Sequence, residues 1–149
     1  MQGPVHNSGP EENIWLVGGS SATLDLDFGA IVSVDGLAIW NKDSVFGVRD
    51  FQLLASSDPS FANAEILYAG TLGIQPDNAN STVPTTSERI DFQETSARYF
   101  QINAFNNHGA SFVGLSELAF AVVPEPQGMA MLAIGVFLIG FMARHNRRA

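Results

Sequence analysis

Two short runs in this chain hold side chains suited to recognition chemistry. Trp40, Asn41, Lys42 and Asp43 follow one another. They set an aromatic face beside donors and acceptors, a combination that suits a sugar ring, whose apolar face stacks on an indole while its hydroxyls pair with amides. Asn106, Asn107 and His108 form a second run that can hydrogen-bond to hydroxyls. Both runs also have a purely structural reading, with Trp40 in the core, Asn41 capping a turn, and Asn106 to His108 as a polar hairpin tip.

Catalytic and metal chemistry find less support. His6, His108 and His145 are scattered, and no pair has metal-ligand spacing. The chain has no cysteine, which excludes disulfides, thiolate metal sites and cysteine nucleophiles. No Gly-x-Ser-x-Gly elbow is present, and no pair of carboxylates stands out for glycoside hydrolysis. Asp77, Asn78 and Asn80 offer oxygens, which leaves calcium conceivable, but they lack the regular spacing and bidentate glutamate of a calcium loop. The expectation is a protein that is not an enzyme and holds no metal or cofactor.

The elements that must carry the two runs are strands. Leu24, Leu26 and Phe28 alternate with Thr23, Asp25 and Asp27, a half-buried strand that Gly29 is expected to stop. Val34 to Asn41 reads as the next strand, followed by Phe51 to Ala55, Glu65 to Ala69, Arg89 to Phe92, Arg98 to Phe105 and Leu115 to Val122. Gly73 to Ser87 is polar and rich in Pro and Asn, a long surface loop. Arg49 and Arg98 each precede an alternating strand, with Asp50, Asp91 and Glu94 as candidate acidic partners. No stretch before residue 124 has the period of an amphipathic helix, so the fold class is all-β, a sandwich of antiparallel sheets.

Charge divides the chain sharply. Of fifteen acids only Glu125 lies beyond residue 123, and of seven bases three do, so the body carries a net charge of −10. That balance argues against nucleic acid and anionic lipid as partners. The end of the chain is different. Pro124, Glu125 and Pro126 end the last strand, residues 128–143 hold no charge, and Arg144, Arg147 and Arg148 follow. An apolar run of sixteen residues spans roughly 24 Å as a helix, marginal against a hydrocarbon slab of about 30 Å. Basic residues stay on the cytoplasmic side, which predicts a single transmembrane helix with the body outside.

Val123-Pro124-Glu125-Pro126, the Gly-containing apolar run and Arg147-Arg148 resemble the PEP-CTERM sorting signal of Gram-negative bacteria that make exopolysaccharide. The resemblance implies an exosortase-type membrane protease as partner, recognising Pro124, Glu125 and Pro126, with Arg144, Arg147 and Arg148 as the basic stop. It also implies delivery to the cell envelope, outer surface or extracellular matrix. Met1 to Ser8 is neither basic nor apolar enough for a leader, so a truncated start is expected. Within the body, the strand order from Ala22 to Gly29, Val34 to Asn41 and Gly47 to Ser56, with Ala97 to Ile102 and Gly114 to Phe120, resembles the discoidin or coagulation-factor C-type domain, a galactose-binding-like jelly roll. That resemblance implies ligand binding through loops at one end.

The expected organisation is a disordered start at 1–12, a discoidin-like sandwich at 13–122 and a sorting signal at 123–149. The expected function is a non-catalytic module for exopolysaccharide or another surface glycan, with Trp40, Asn41, Lys42, Asn106, Asn107 and His108 as its ligand residues. The alternatives are a matrix or adhesion protein without specific glycan binding and a permanently anchored single-pass membrane protein.

Overall fold

The computed structural model describes residues 14–42, 44–76 and 86–124. The expected disordered start, the apolar run and the terminal arginines lie outside these residues, as do Asp43, Glu125 and Pro126. Among the described residues no helix is long and apolar enough to cross a membrane.

Six strands follow in chain order: β1 (Trp15–Gly18), β2 (Ala22–Asn41), β3 (Asp50–Ser56), β4 (Glu65–Thr71), β5 (Glu88–Ala104) and β6 (Phe112–Val122). They pair in the order β1-β6-β2-β5-β3-β4, antiparallel throughout. The backbone of the fold is one long ribbon of β2 and β5. Its first half pairs Ala22 to Asp27 with Ala104 to Tyr99, and its second half pairs Val32 to Ile39 with Ala97 to Glu88. β3 and β4 extend the first half, while β6 and β1 extend the second.

The ribbon is folded double. Register slips between Asp27 and Val32 and again between Val34 and Gly36, and such bulges bend a strand. Folding brings Leu37, Ile39, Ile90 and Leu115 of one half into a single core with Phe51, Leu53, Ile102 and Ala104 of the other. The result is a two-layer sandwich whose inner faces carry the apolar half of each alternating pattern. Phe51, Leu53 and Ala55 point in, as do Phe100, Ile102 and Ala104, whereas Asp50, Gln52, Tyr99, Gln101 and Asn103 take the other face.

Gly29 therefore does not stop a strand. Its φ of +75° is in the left-handed region, and its N–H donates to Asp27 Oδ1 at 2.7 Å, so a local turn sits inside a 20-residue strand. The strands expected separately at Arg89 to Phe92 and Arg98 to Phe105 are likewise one strand, β5. Arg98 pairs with none of its expected partners: its Nε and Nη2 reach Asp27 on β2 at 2.8 and 2.9 Å. Arg49 does pair with Asp50.

Because the ribbon doubles back, the connections collect at two poles. The strand ends that lead from β1 to β2, β2 to β3, β4 to β5 and β5 to β6 face one pole, here called the loop pole. The bend of β2, the start of β4 and the exit of β6 toward Pro124 share the other.

Candidate functional site

At the loop pole two asparagines set the frame. Asn41 is fully buried. Its Nδ2 donates to the carbonyls of Val48 at 2.7 Å and Gly73 at 3.3 Å, and its Oδ1 accepts from the N–H groups of Val48 at 2.8 Å and Lys42 at 3.1 Å. An amide offers two donors and two acceptor sites, and all four are used. Gly47 lets the loop close over it, since a Cβ there would meet Lys42 O at 2.6 Å and Asn41 Nδ2 at 2.8 Å. Asn107, also buried, repeats the device: Nδ2 donates to Ala110 and Phe112 carbonyls, and Oδ1 accepts from Gly109 and Ala110. Neither side chain keeps a donor or acceptor for a ligand. The sequence pattern of an exposed amide pair thus belongs to loop architecture, for the physical reason that these loops have buried backbone groups to satisfy.

The side chains left at the surface lie beside them. Asp50 Oδ2 accepts from Arg49 Nε at 3.1 Å, Arg49 Nη2 at 3.0 Å and Asn106 Nδ2 at 2.5 Å, while its Oδ1 accepts from Thr71 Oγ1 at 2.8 Å. The Asn106 amide, then the Thr71 hydroxyl and the Arg49 guanidinium, hold the Asp50 carboxyl below the usual carboxylate range, so it is an anion at neutral pH. Main-chain bonds fix the group: Asp50 N donates to Asn106 Oδ1 at 3.0 Å, Arg49 N to Asn106 O at 2.9 Å, and Phe105 N to Asp50 O at 2.8 Å. Phe105 is 52% exposed. An exposed aromatic residue is thus tied through its backbone to Asp50, whose carboxylate gathers a guanidinium, an amide and a hydroxyl, and the Arg49 and Asp50 side chains keep part of their surface in solvent.

The expected ligand residues separate in space. Asn106 belongs to the Asp50 cluster. His108 is in the same turn but its Nε2 is buried without a hydrogen-bond partner among the described residues. Lys42 lies at the start of the β2–β3 loop, its N–H on Asn41 Oδ1. Trp40 is half-buried on the outer face of β2, opposite in direction to Ile39 and Asn41 and paired across the sheet with Glu117. Phe105, Arg49, Asp50 and Thr71 are the residues that sequence reasoning missed as a group; by alternation alone Phe105 is only the end of a strand. The signal in the sequence is an aromatic residue directly before Asn106 and Asn107. Among the described residues no three His, Asp or Glu side chains gather as metal ligands.

The far end of β6 decides the relationship of the tail. Residues 122–148 match the PEP-CTERM protein-sorting motif. The match overlaps the sorting signal expected at 123–149, and it begins where β6 ends. The PEP-CTERM tail is joined to a body whose fold is that of carbohydrate-binding modules. The body is similar to the CBM32 of AlyQ in complex with 4,5-unsaturated mannuronic acid, with a TM-score of 0.58 at 23% identity over 77% of this chain and 81% of that one. It is similar also to CpGH89CBM32-5 from Clostridium perfringens in complex with GalNAc-β-1,3-galactose, with a TM-score of 0.60 at 16% identity over 78% and 81%. The family 32 module of C. perfringens NanJ in complex with galactose gives 0.56 at 15% identity over 78% and 81%. At these identities the likeness is one of fold. No curated protein matches the chain.

Proposed function

We propose that this chain is an exported, envelope-sorted module that binds glycan at its loop pole and performs no catalysis of its own. The observation that carries the reading is an exposed Phe105 whose N–H is held by Asp50 of the Arg49–Asp50–Asn106–Thr71 network, on a fold shared with sugar-bound modules and joined to a sorting motif. A sugar ring stacks on Phe105 while its hydroxyls take the remaining donors of Arg49 and Asn106 and the acceptors of Asp50. The tail directs the body outward through the membrane, with an exosortase-type protease as its reader. Exopolysaccharide of the producing cell is the proposed glycan, and neither metal nor cofactor takes part.

Retention on polysaccharide gels tests this. Phe105→Ala and Arg49→Ala should each weaken retention about tenfold, the scale of one good charged hydrogen bond or one aromatic contact, with circular dichroism unchanged. Loss on Trp40→Ala alone would move the site to the outer face of β2. Unaltered retention in all three variants would overturn the loop-pole site. A second reading, a matrix protein built by strand pairing, has one observation in its favour. β1 covers only Phe112 to Leu115 of β6, so among the described residues Ser116 to Val122 has β2 on one side and no strand on the other.

A further inference from the structure

The pole opposite the loops carries apolar side chains where an acidic, solvated body has least reason to show them. Residues 28–31 stand out of the β2–β5 ladder between the pairs Asp27–Tyr99 and Val32–Ala97. The Phe28 ring closes the bottom of the core, edge-on to Phe100 at 5.1 Å and to Phe120 at 5.3 Å, yet remains 37% exposed. Ile31, at the tip of the bulge, is 64% exposed, and Val122, at the end of β6, is 57% exposed. Val123 N donates to Ser33 O at 2.8 Å, which ties the exit of the tail to the strand that follows Ile31. The base at this pole, Arg98, is held by Asp27.

Single exposed apolar residues are ordinary on a surface. What selects an occupant here is where the chain goes next. Gly128 opens the uncharged run only four residues beyond Pro124, and four residues reach at most about 14 Å. Once that run is in a bilayer, Phe28, Ile31 and Val122 are held against the bilayer surface. We propose that these three residues form a lipid-docking rim that seats the base of the body in the boundary between headgroups and acyl chains. The inference rests on the reading that residues 128–143 enter a membrane. Docking is apolar and not electrostatic, because the rim offers no unpaired cation to anionic headgroups. It keeps the Phe105 pole pointed away from the lipid, toward whatever glycan lies outside.

The chain has no cysteine, so Ile31→Cys and Ser111→Cys can each carry one environment-sensitive fluorophore at opposite poles. The full chain is reconstituted into vesicles of phosphatidylcholine and, separately, of phosphatidylglycerol. The label at 31 should shift to the blue and be quenched by a nitroxide borne on the lipid, equally in both lipids and at raised salt; the label at 111 should stay water-like. Val122→Ser should reduce the quenching at 31 while the tail still resists alkaline extraction. A water-like label at 31 with the tail firmly inserted overturns the docking rim alone. Failure of the chain to partition into vesicles overturns the membrane reading and the rim with it. A blue shift that rises with protein density at constant lipid makes a second copy the occupant and also overturns the proposal.

Discussion

At the scale of single residues, burial decides which polar side chains are structural. Asn41 and Asp50 are nine positions apart, yet Asn41 is enclosed with four hydrogen bonds, whereas Asp50 stands at the surface. Asn41→Ala strands the Val48 amide and carbonyl inside the protein, and should cost about 3 kcal/mol. Asn106→Ala, at a half-exposed position, should cost about 1 kcal/mol. Urea midpoints at unchanged m-value compare the two, and equal costs would contradict the structural role of Asn41. Ionisation offers a second measurement. Two bonds from Arg98, then the Gly29 N–H, lower the Asp27 pKa from its ordinary 3.8 to about 2. A carboxyl whose folded pKa lies below its unfolded one stabilises the fold above the unfolded value, and that contribution is lost as pH falls toward the folded one. Wild-type stability should therefore decline between about pH 4 and pH 2 through this group. Asp27→Asn should be less stable at neutral pH, decline less across that window, and meet the wild type near its lower edge.

Among the elements, the bend of β2 and the seat of β1 are held by glycines with different physics. At Gly29 a Cβ would meet nothing within 4 Å, so Gly29→Ala should cost only the left-handed backbone term, about 1 to 2 kcal/mol. At Gly114 a Cβ would sit 2.5 Å from Trp15 O and 2.8 Å from Leu16 Cδ1. Gly114→Ala should accordingly lift β1 from β6, and amide exchange of Trp15 to Gly18 should accelerate selectively while β3 stays protected. Much of this architecture was legible beforehand. The alternation in Leu24 to Phe28, in Phe51 to Ala55 and in the β6 segment named the strands and the inward faces, because period two is a local property. Gly29 misled because glycine ends strands and also bulges them, and the difference lies in whether Asp27 reaches back to its N–H. The Arg98–Asp27 pair spans 71 positions, and the Phe105–Asp50 bond joins the end of β5 to the start of β3, so neither had a local signature. The sorting motif was legible, since a sorting signal is read as a linear string.

Taken as a whole, the molecule is polar in the geometric sense. The Arg49–Asp50–Asn106–Thr71 cluster and the tail exit occupy opposite ends of a sandwich roughly 20 Å long, the length of six or seven strand residues. Between them the body carries −10, and its outward rungs add to that field: Asp25 is bound by Gln101 at 2.7 Å and is not offset by a base there. A field of this sign opposes any polyanion approaching the loop pole, while a neutral polymer feels nothing and an amino-sugar polymer is drawn in. Arg49 does not reverse this locally, because Asp50 beside it is ionised and bound to it. The expectation is discrimination by charge class: at low ionic strength neutral or amino-sugar polymers should be retained in preference to polyuronates of similar length. Raising salt from about 0.01 M to 1 M shortens the screening length from about 30 Å to about 3 Å, so polyuronate retention should rise and the preference should narrow, with neutral-polymer retention unmoved. Affinity electrophoresis at the two ionic strengths measures both trends. Polyuronate retained best at low salt and released by salt would show instead that a local cationic site governs capture, and the body's overall charge would have no part in selecting the glycan.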